Sequence, residues 1–76
     1  MTKAGWSALR EGRWDAARTA FTDALATERT PEALEGLSWA AWWLDDADEV
    51  FAARAASFDL YRRARRPADA ARMATW

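Results

Sequence analysis

Cysteine and histidine are both missing from this 76-residue chain. Without Cys there is no disulfide and no thiolate metal site, and without His the commonest zinc ligand is gone. β-Branched strand formers are scarce as well: Val50 is the one valine and isoleucine is absent, which argues against a β-rich fold. The longest charge-free run, Gly36 to Leu44, is nine residues, far short of the ~20 that span a bilayer. The opening "MTKAGWSALREGRW" is interrupted by Arg10, Glu11 and Arg13 before any apolar signal core can form. These absences predict a soluble, cytoplasmic protein with no membrane part, no metal and no cofactor.

What is present reads all-α. Hydrophobic residues make up 51% of the chain, but they are mostly Ala and Trp, joined by abundant Leu, Arg and Glu. A chain this short buries only ~60% of its unfolded surface and is stable only with a dense core or a partner. Net charge is −1 and unevenly placed: residues 28–53 carry seven acids against one Arg, and residues 54–76 six Arg against two Asp. That polarity can steer a partner or another copy of the chain.

Start and stop signals divide the chain into five helices. The first runs from Thr2 as N-cap to about Glu11, with Gly12 as its left-handed stop. The second carries Trp14, Ala17, Phe21, Ala24 and Leu25 on one face and packs back on the first as a hairpin. Thr30 as N-cap and Pro31 at the first position open the third, which reaches about Leu44. Asp46 and Glu49 offer a reciprocal capping box for the fourth, with Ala47, Val50, Phe51, Phe58 and Tyr61 directed inward and its end near Arg63. Pro67 opens the fifth, in which Ala70, Met73 and Ala74 lead to Trp76.

The halves repeat. "GWSAL" at Gly5–Leu9 matches "GLSWA" at Gly36–Ala40, 31 residues on, and Trp14 and Ala47, each near the start of the following helix, are 33 apart. Helix pairs at such a period are the mark of a helical solenoid. "LREGRWDAARTAFTDAL" resembles the second half of a tetratricopeptide repeat, with Gly12, Trp14, Ala17, Phe21, Ala24 and Leu25 in its pattern and Gly5 at its first-helix glycine. The second repeat departs from it: the third helix is longer, and Asp46 stands in place of the inter-helix glycine. The whole chain also resembles the N-terminal repeat region of bacterial LuxR-type transcriptional regulators, chiefly through "TPEALEGLSWAAWWLDDAD" and "FAARAASFDLYRR". Those regulators end in a helix-turn-helix, to which nothing here corresponds, so DNA binding is not implied.

The expected fold is therefore one tetratricopeptide-like, right-handed α-solenoid: hairpin 1 over 2–28, hairpin 2 over 31–64, and the opening helix of a third repeat over 67–76. Within "GLSWAAWWLDD", Leu34, Leu37, Ala41 and Leu44 form one stripe, and Trp39 and Trp43 project from the other side. Burial on both flanks would make Trp39 and Trp43 core filling among alanine-rich helices, each indole bringing roughly 150–250 Å². Trp42 and Trp6 are open to either role, core or groove. Trp76 ends an incomplete repeat, whose apolar face another copy or further chain would cover.

Charged and hydroxyl motifs are weighed the same way. "YRRARR" lacks interleaved aromatics and a following recognition helix, so it reads as a solvated helix end, not a nucleic-acid grip; a salt bridge to the 45–49 acids of another chain is the better use. "DDADE" lacks the spacing and central Gly of a calcium loop. Ser7 and Ser38 follow glycines but have neither a base nor a nucleophile elbow. A non-catalytic interaction module is expected, without cofactors, with contacts from Trp6, Arg10, Trp42, Met73 and Trp76 and an electrostatic rim of Arg62, Arg65 and Arg66. Its partner would be a protein or peptide, or a second copy through the C-terminal helix, with no direct nucleic-acid contact. By resemblance it would be the regulatory or oligomerising N-terminal part of a transcriptional regulator. The alternatives are a Trp-lined sensor of small aromatic molecules and a purely self-associating module.

Overall fold

The computed structural model describes residues 2–75, and its elements are five helices: α1 (Lys3–Arg10), α2 (Trp14–Thr27), α3 (Pro31–Trp43), α4 (Ala47–Arg63) and α5 (Pro67–Ala74). The contact expected of Trp76 lies outside the described residues. Each helix packs on the next in order, and α1 also touches α3. Short connections between contacting helices make neighbours antiparallel, so the C-terminal ends of α1 and α3 meet the N-terminal ends of α2 and α4 at one end of the molecule. Among the described residues no helix is long and apolar enough to cross a membrane.

Local chemistry explains most boundaries. The Thr30 hydroxyl accepts from the Ala33 amide at 3.2 Å, and Pro31 fills the first turn of α3. Asp46 accepts from the Glu49 amide at 3.2 Å. The reciprocal half of that capping box does not form, because the Glu49 carboxylate turns to Arg18 at 3.8 Å instead. Thr2 makes no side-chain cap, and α1 begins with its amides unassisted.

Three of the four connections share one backbone. Gly12, Asp45 and Arg65 stand at φ 75°, 60° and 59°. The next amide in each case, of Arg13, Asp46 and Arg66, donates 2.9 Å back to the carbonyl of Ala8, Ala41 and Tyr61. This is the Schellman closure. The residue that takes the glycine position in the second hairpin is therefore Asp45, one place before the expected Asp46; Asp tolerates the left-handed region because its short side chain bonds locally.

The core is built on Phe21. Its fully buried ring lies against both Gly5 of α1 and Gly36 of α3. A Cβ added at Gly5 would sit 2.7 Å from the ring, and one at Gly36 only 2.1 Å. The repeated glycine thus marks where two helices approach one phenyl group. Ala8, Ala17, Ala24, Ala33, Leu37, Ala40 and Ala53 complete the cluster.

Two expectations about the core are corrected. α3 is enclosed on several sides, with Ala33 to Ser38, Ala40 and Ala41 all buried, but small residues do the filling. Trp39 is half-buried, and Trp43 is 55% and Trp42 54% exposed. The indoles lie in the last turns of α3 beside Ala40 and Ala41, which are fully buried, so the face they occupy and not their place along the helix leaves them open. In α4 the buried stripe is Val50, Ala53, Arg54, Ser57 and Tyr61, not one through Phe51, which is 69% exposed, or Ala47, which is exposed. Two polar members of that stripe, Ser57 and Arg54, donate to backbone carbonyls of other helices. Ser57 donates 2.9 Å to the Pro31 carbonyl, and Arg54 donates to the carbonyls of Met73 and Arg72 at 3.3 and 2.9 Å.

Candidate functional site

An indole-walled groove opens at the end where the C-termini of α1 and α3 meet the start of α2. Trp6, Leu9 and Arg10 of α1, Trp14 of α2, and Trp39 and Trp43 of α3 line about 360 Å³. Helical spacing aligns each wall: Trp6 and Arg10 are four apart, as are Trp39 and Trp43. The left-handed turn at Gly12 delivers Trp14 to the first position of α2, where it stacks on Trp43 with centroids 4.8 Å apart and planes 8° from parallel. Trp6 meets Phe21 edge-on at 5.2 Å, which fixes its ring from behind. Arg10 stands exposed at the rim and makes no ion pair among the described residues, while the neighbouring Glu11 is taken by Arg13 at 2.7 Å.

A second, smaller cavity of about 180 Å³ lies around the α3–α4 turn, lined by Trp42, Asp45, Asp46, Ala47, Val50 and Phe51. A third groove of about 360 Å³ between α4 and α5 holds Met73 with Phe51, Arg54, Ala55, Phe58 and Ala74.

The expected contact set is therefore distributed. Trp6 and Arg10 share the indole groove, Trp42 sits in the adjoining cavity, and Met73 lies in the α4–α5 groove, buried at its base. Of the expected rim, Arg62 lies over the Phe58 ring at 5.7 Å, and Arg65 occupies the left-handed turn position and is exposed. Arg66 is engaged within the fold: it pairs with Glu32 and with Asp69 at 2.8 Å and lies over the Tyr61 ring at 4.7 Å. Leu9, Trp14, Trp39, Trp43 and Phe51 were not among the expected contacts. The signal for Trp39 and Trp43 was there, since both oppose the leucine stripe.

Between α3, α4 and α5 the buried Glu35 carboxylate receives the Tyr61 hydroxyl at 2.8 Å and two Arg72 bonds at 2.8 and 3.0 Å. Arg72 also reaches Asp69 at 2.7 Å, and its bond there, more than the one from Arg66, holds the Asp69 carboxyl below the usual carboxylate range. Burial pulls Arg54 down, against the field of Glu35. Glu35, Tyr61, Arg72 and Asp69 are bonded to one another, and the Ser38 hydroxyl donates to the Glu35 carbonyl at 2.6 Å. They make a structural network, whereas the indole groove presents apolar surface.

Comparison of the chain with known protein families, with curated proteins and with solved structures found no match.

Proposed function

We propose that this chain is a non-catalytic protein-interaction module of tetratricopeptide-like build, whose indole groove receives an apolar side chain from a protein or peptide segment. Exposure of large apolar groups carries the reading: Trp43 in the groove, and Trp42 and Phe51 in the cavity at the α3–α4 turn, are all more than half exposed. Solvated apolar patches of this kind mark interaction surfaces, and Trp is the residue most enriched among binding hot spots, together with Tyr and Arg. In support of the stacked-hairpin reading stand the sequential packing of the helices and the three turns of common geometry. By the resemblance in sequence, such a module would serve as the regulatory or oligomerising part of a bacterial transcriptional regulator.

The groove is open along its length, which suits a segment of chain better than a free small molecule, since small-ligand sites enclose most of their ligand. Titration with acetylated, amidated tripeptides centred on Phe, Leu or Asn tests the proposal through the indole N–H signals in heteronuclear NMR. Phe and Leu peptides should shift Trp6, Trp14, Trp39 and Trp43 saturably, and the Asn peptide should not. Equal, saturable shifts with free indole would favour a small-molecule sensor, and no shift with any probe would end the groove reading.

A further inference from the structure

The groove and the cavity at the neighbouring turn are lined by consecutive residues of α3, Trp43 and Trp42, and carry charges of opposite sign. Arg10 shares the groove with Trp43, and Asp45 shares the adjoining cavity with Trp42, the next residue along. Asp45 and Asp48 are exposed and, like Arg10, make no ion pair among the described residues. Asp46 and Glu49 face Arg18 at 3.7 and 3.8 Å, so the outer acids alone are left to a partner. An apolar centre with an unpaired cation on one side and unpaired carboxylates on the other is self-complementary: turning a copy by two-fold rotation about the centre brings each cation to the other copy's acids.

We infer that the partner is a second copy of this chain, docked two-fold through the α3–α4 end, with Trp42 and Trp43 near the axis, Arg10 of each copy facing Asp45 of the other, and Phe51 of each entering the other's indole groove. This rests on the proposed function and names the segment that fills the groove. The sequence pointed instead to pairing through α5, but Met73 there is already buried within its own chain, whereas the aromatic end is solvated. The three exposed rings offer roughly 300–400 Å² of apolar surface, close to half of the ~800 Å² that each partner contributes to a standard interface. The polar rim supplies the rest.

Sedimentation equilibrium across concentration tests this with charge reversals at exposed positions. The wild type should pass reversibly from monomer to dimer. Arg10→Glu and Asp45→Arg should each weaken the dimer at least about tenfold, since like charges then face one another. An equimolar mixture of the two variants should restore the dimer mass, because every facing pair is then opposite in sign. Asp48→Arg serves should Asp45→Arg lose helicity, although Arg65 already holds the same backbone conformation in the next turn. A wild type monomeric throughout overturns the inference, as do masses that grow beyond the dimer, and as does a mixture that stays monomeric. Self-association that survives these reversals and disappears with Met73→Asp moves the interface to α5 and overturns it too. The groove reading is judged separately: tripeptides that shift the indole signals uphold it even when no dimer forms, and tripeptides that leave them unmoved refute it.

Discussion

The Tyr61 hydroxyl of α4 donates a 2.8 Å hydrogen bond to Glu35 Oε1 of α3, and Arg72 of α5 closes on the same carboxylate. One acid therefore ties three helices together. Burial first, and then the bond to Glu35, raise the ionisation of Tyr61 well above the ordinary phenol value of ~10. The folded state holds the phenolic proton at a pH where the unfolded chain releases it, so this contribution to stability is complete below about pH 10 and falls as pH rises beyond it. The chain has a single Tyr, which makes the test direct. Tyrosinate absorbance should appear together with loss of helical circular dichroism, and Tyr61→Phe should remove that alkaline dependence. Tyrosinate forming near pH 10 with helicity intact would refute the assignment.

Arg54 acts on α5 from inside. With 5% of its surface exposed, it donates to the carbonyls of Met73 and Arg72 in the last turn of that helix. Hydrogen bonds from a charged donor contribute about 1.5–3 kcal/mol each to stability. Arg54→Met keeps the aliphatic bulk and removes the donors. It should lower global stability by about 2–3 kcal/mol and speed amide exchange in α5 more than in α1. Uniform exchange across all helices would show that the bonds do not anchor α5 in particular.

Gly36 meets Phe21 more closely than Gly5 does. Alanine in a helix is favoured over glycine by about 1 kcal/mol, yet a Cβ 2.1 Å from the phenyl ring cannot be accommodated without a shift, and overpacking costs about 1–3 kcal/mol. Gly36→Ala should therefore lower the melting temperature, and pairing it with Phe21→Leu should recover part of the loss. A double-mutant cycle in urea measures the coupling. Additive effects would mean that the ring and the glycine do not constrain one another.

The left-handed residues Asp45 and Arg65 allow the opposite experiment. A non-glycine residue there costs about 1–2 kcal/mol, less for Asp, whose side chain bonds locally. Arg65→Gly should raise stability by about 1 kcal/mol and Asp45→Gly by less. Chemical denaturation gives both values, and a loss on Arg65→Gly would show that its side chain, not its backbone, matters at the turn.

Helix punctuation was legible in the sequence because it is local: Thr30 with Pro31, Asp46 before Glu49, and Gly12 each act within one turn of chain. The glycine repeat was legible as a pattern, but its cause, a phenyl ring from a third segment, was not. The arginine and serine of α4 misled for a related reason. Hydropathy assigns Arg54 and Ser57 to water and Phe51 to the interior, whereas distant backbone carbonyls accept from the first two within the fold and Phe51 lies outside. The tryptophans show the limit of a helical wheel. It gave the direction of Trp39 and Trp43 around α3 but not that this side is left open, while Ala40 and Ala41 in the same turn are fully buried.

The Schellman closure is made by main-chain atoms, so the side chain at each corner takes no part in bending the chain. Glycine, aspartate and arginine occupy equivalent joints, and the decoration of the two corners that already carry side chains can be rewritten while the rods between them stay where they are. Two of the corners flank the acidic and basic ends of α4, which makes them the places where this molecule can change its electrical appearance with the least disturbance to its frame.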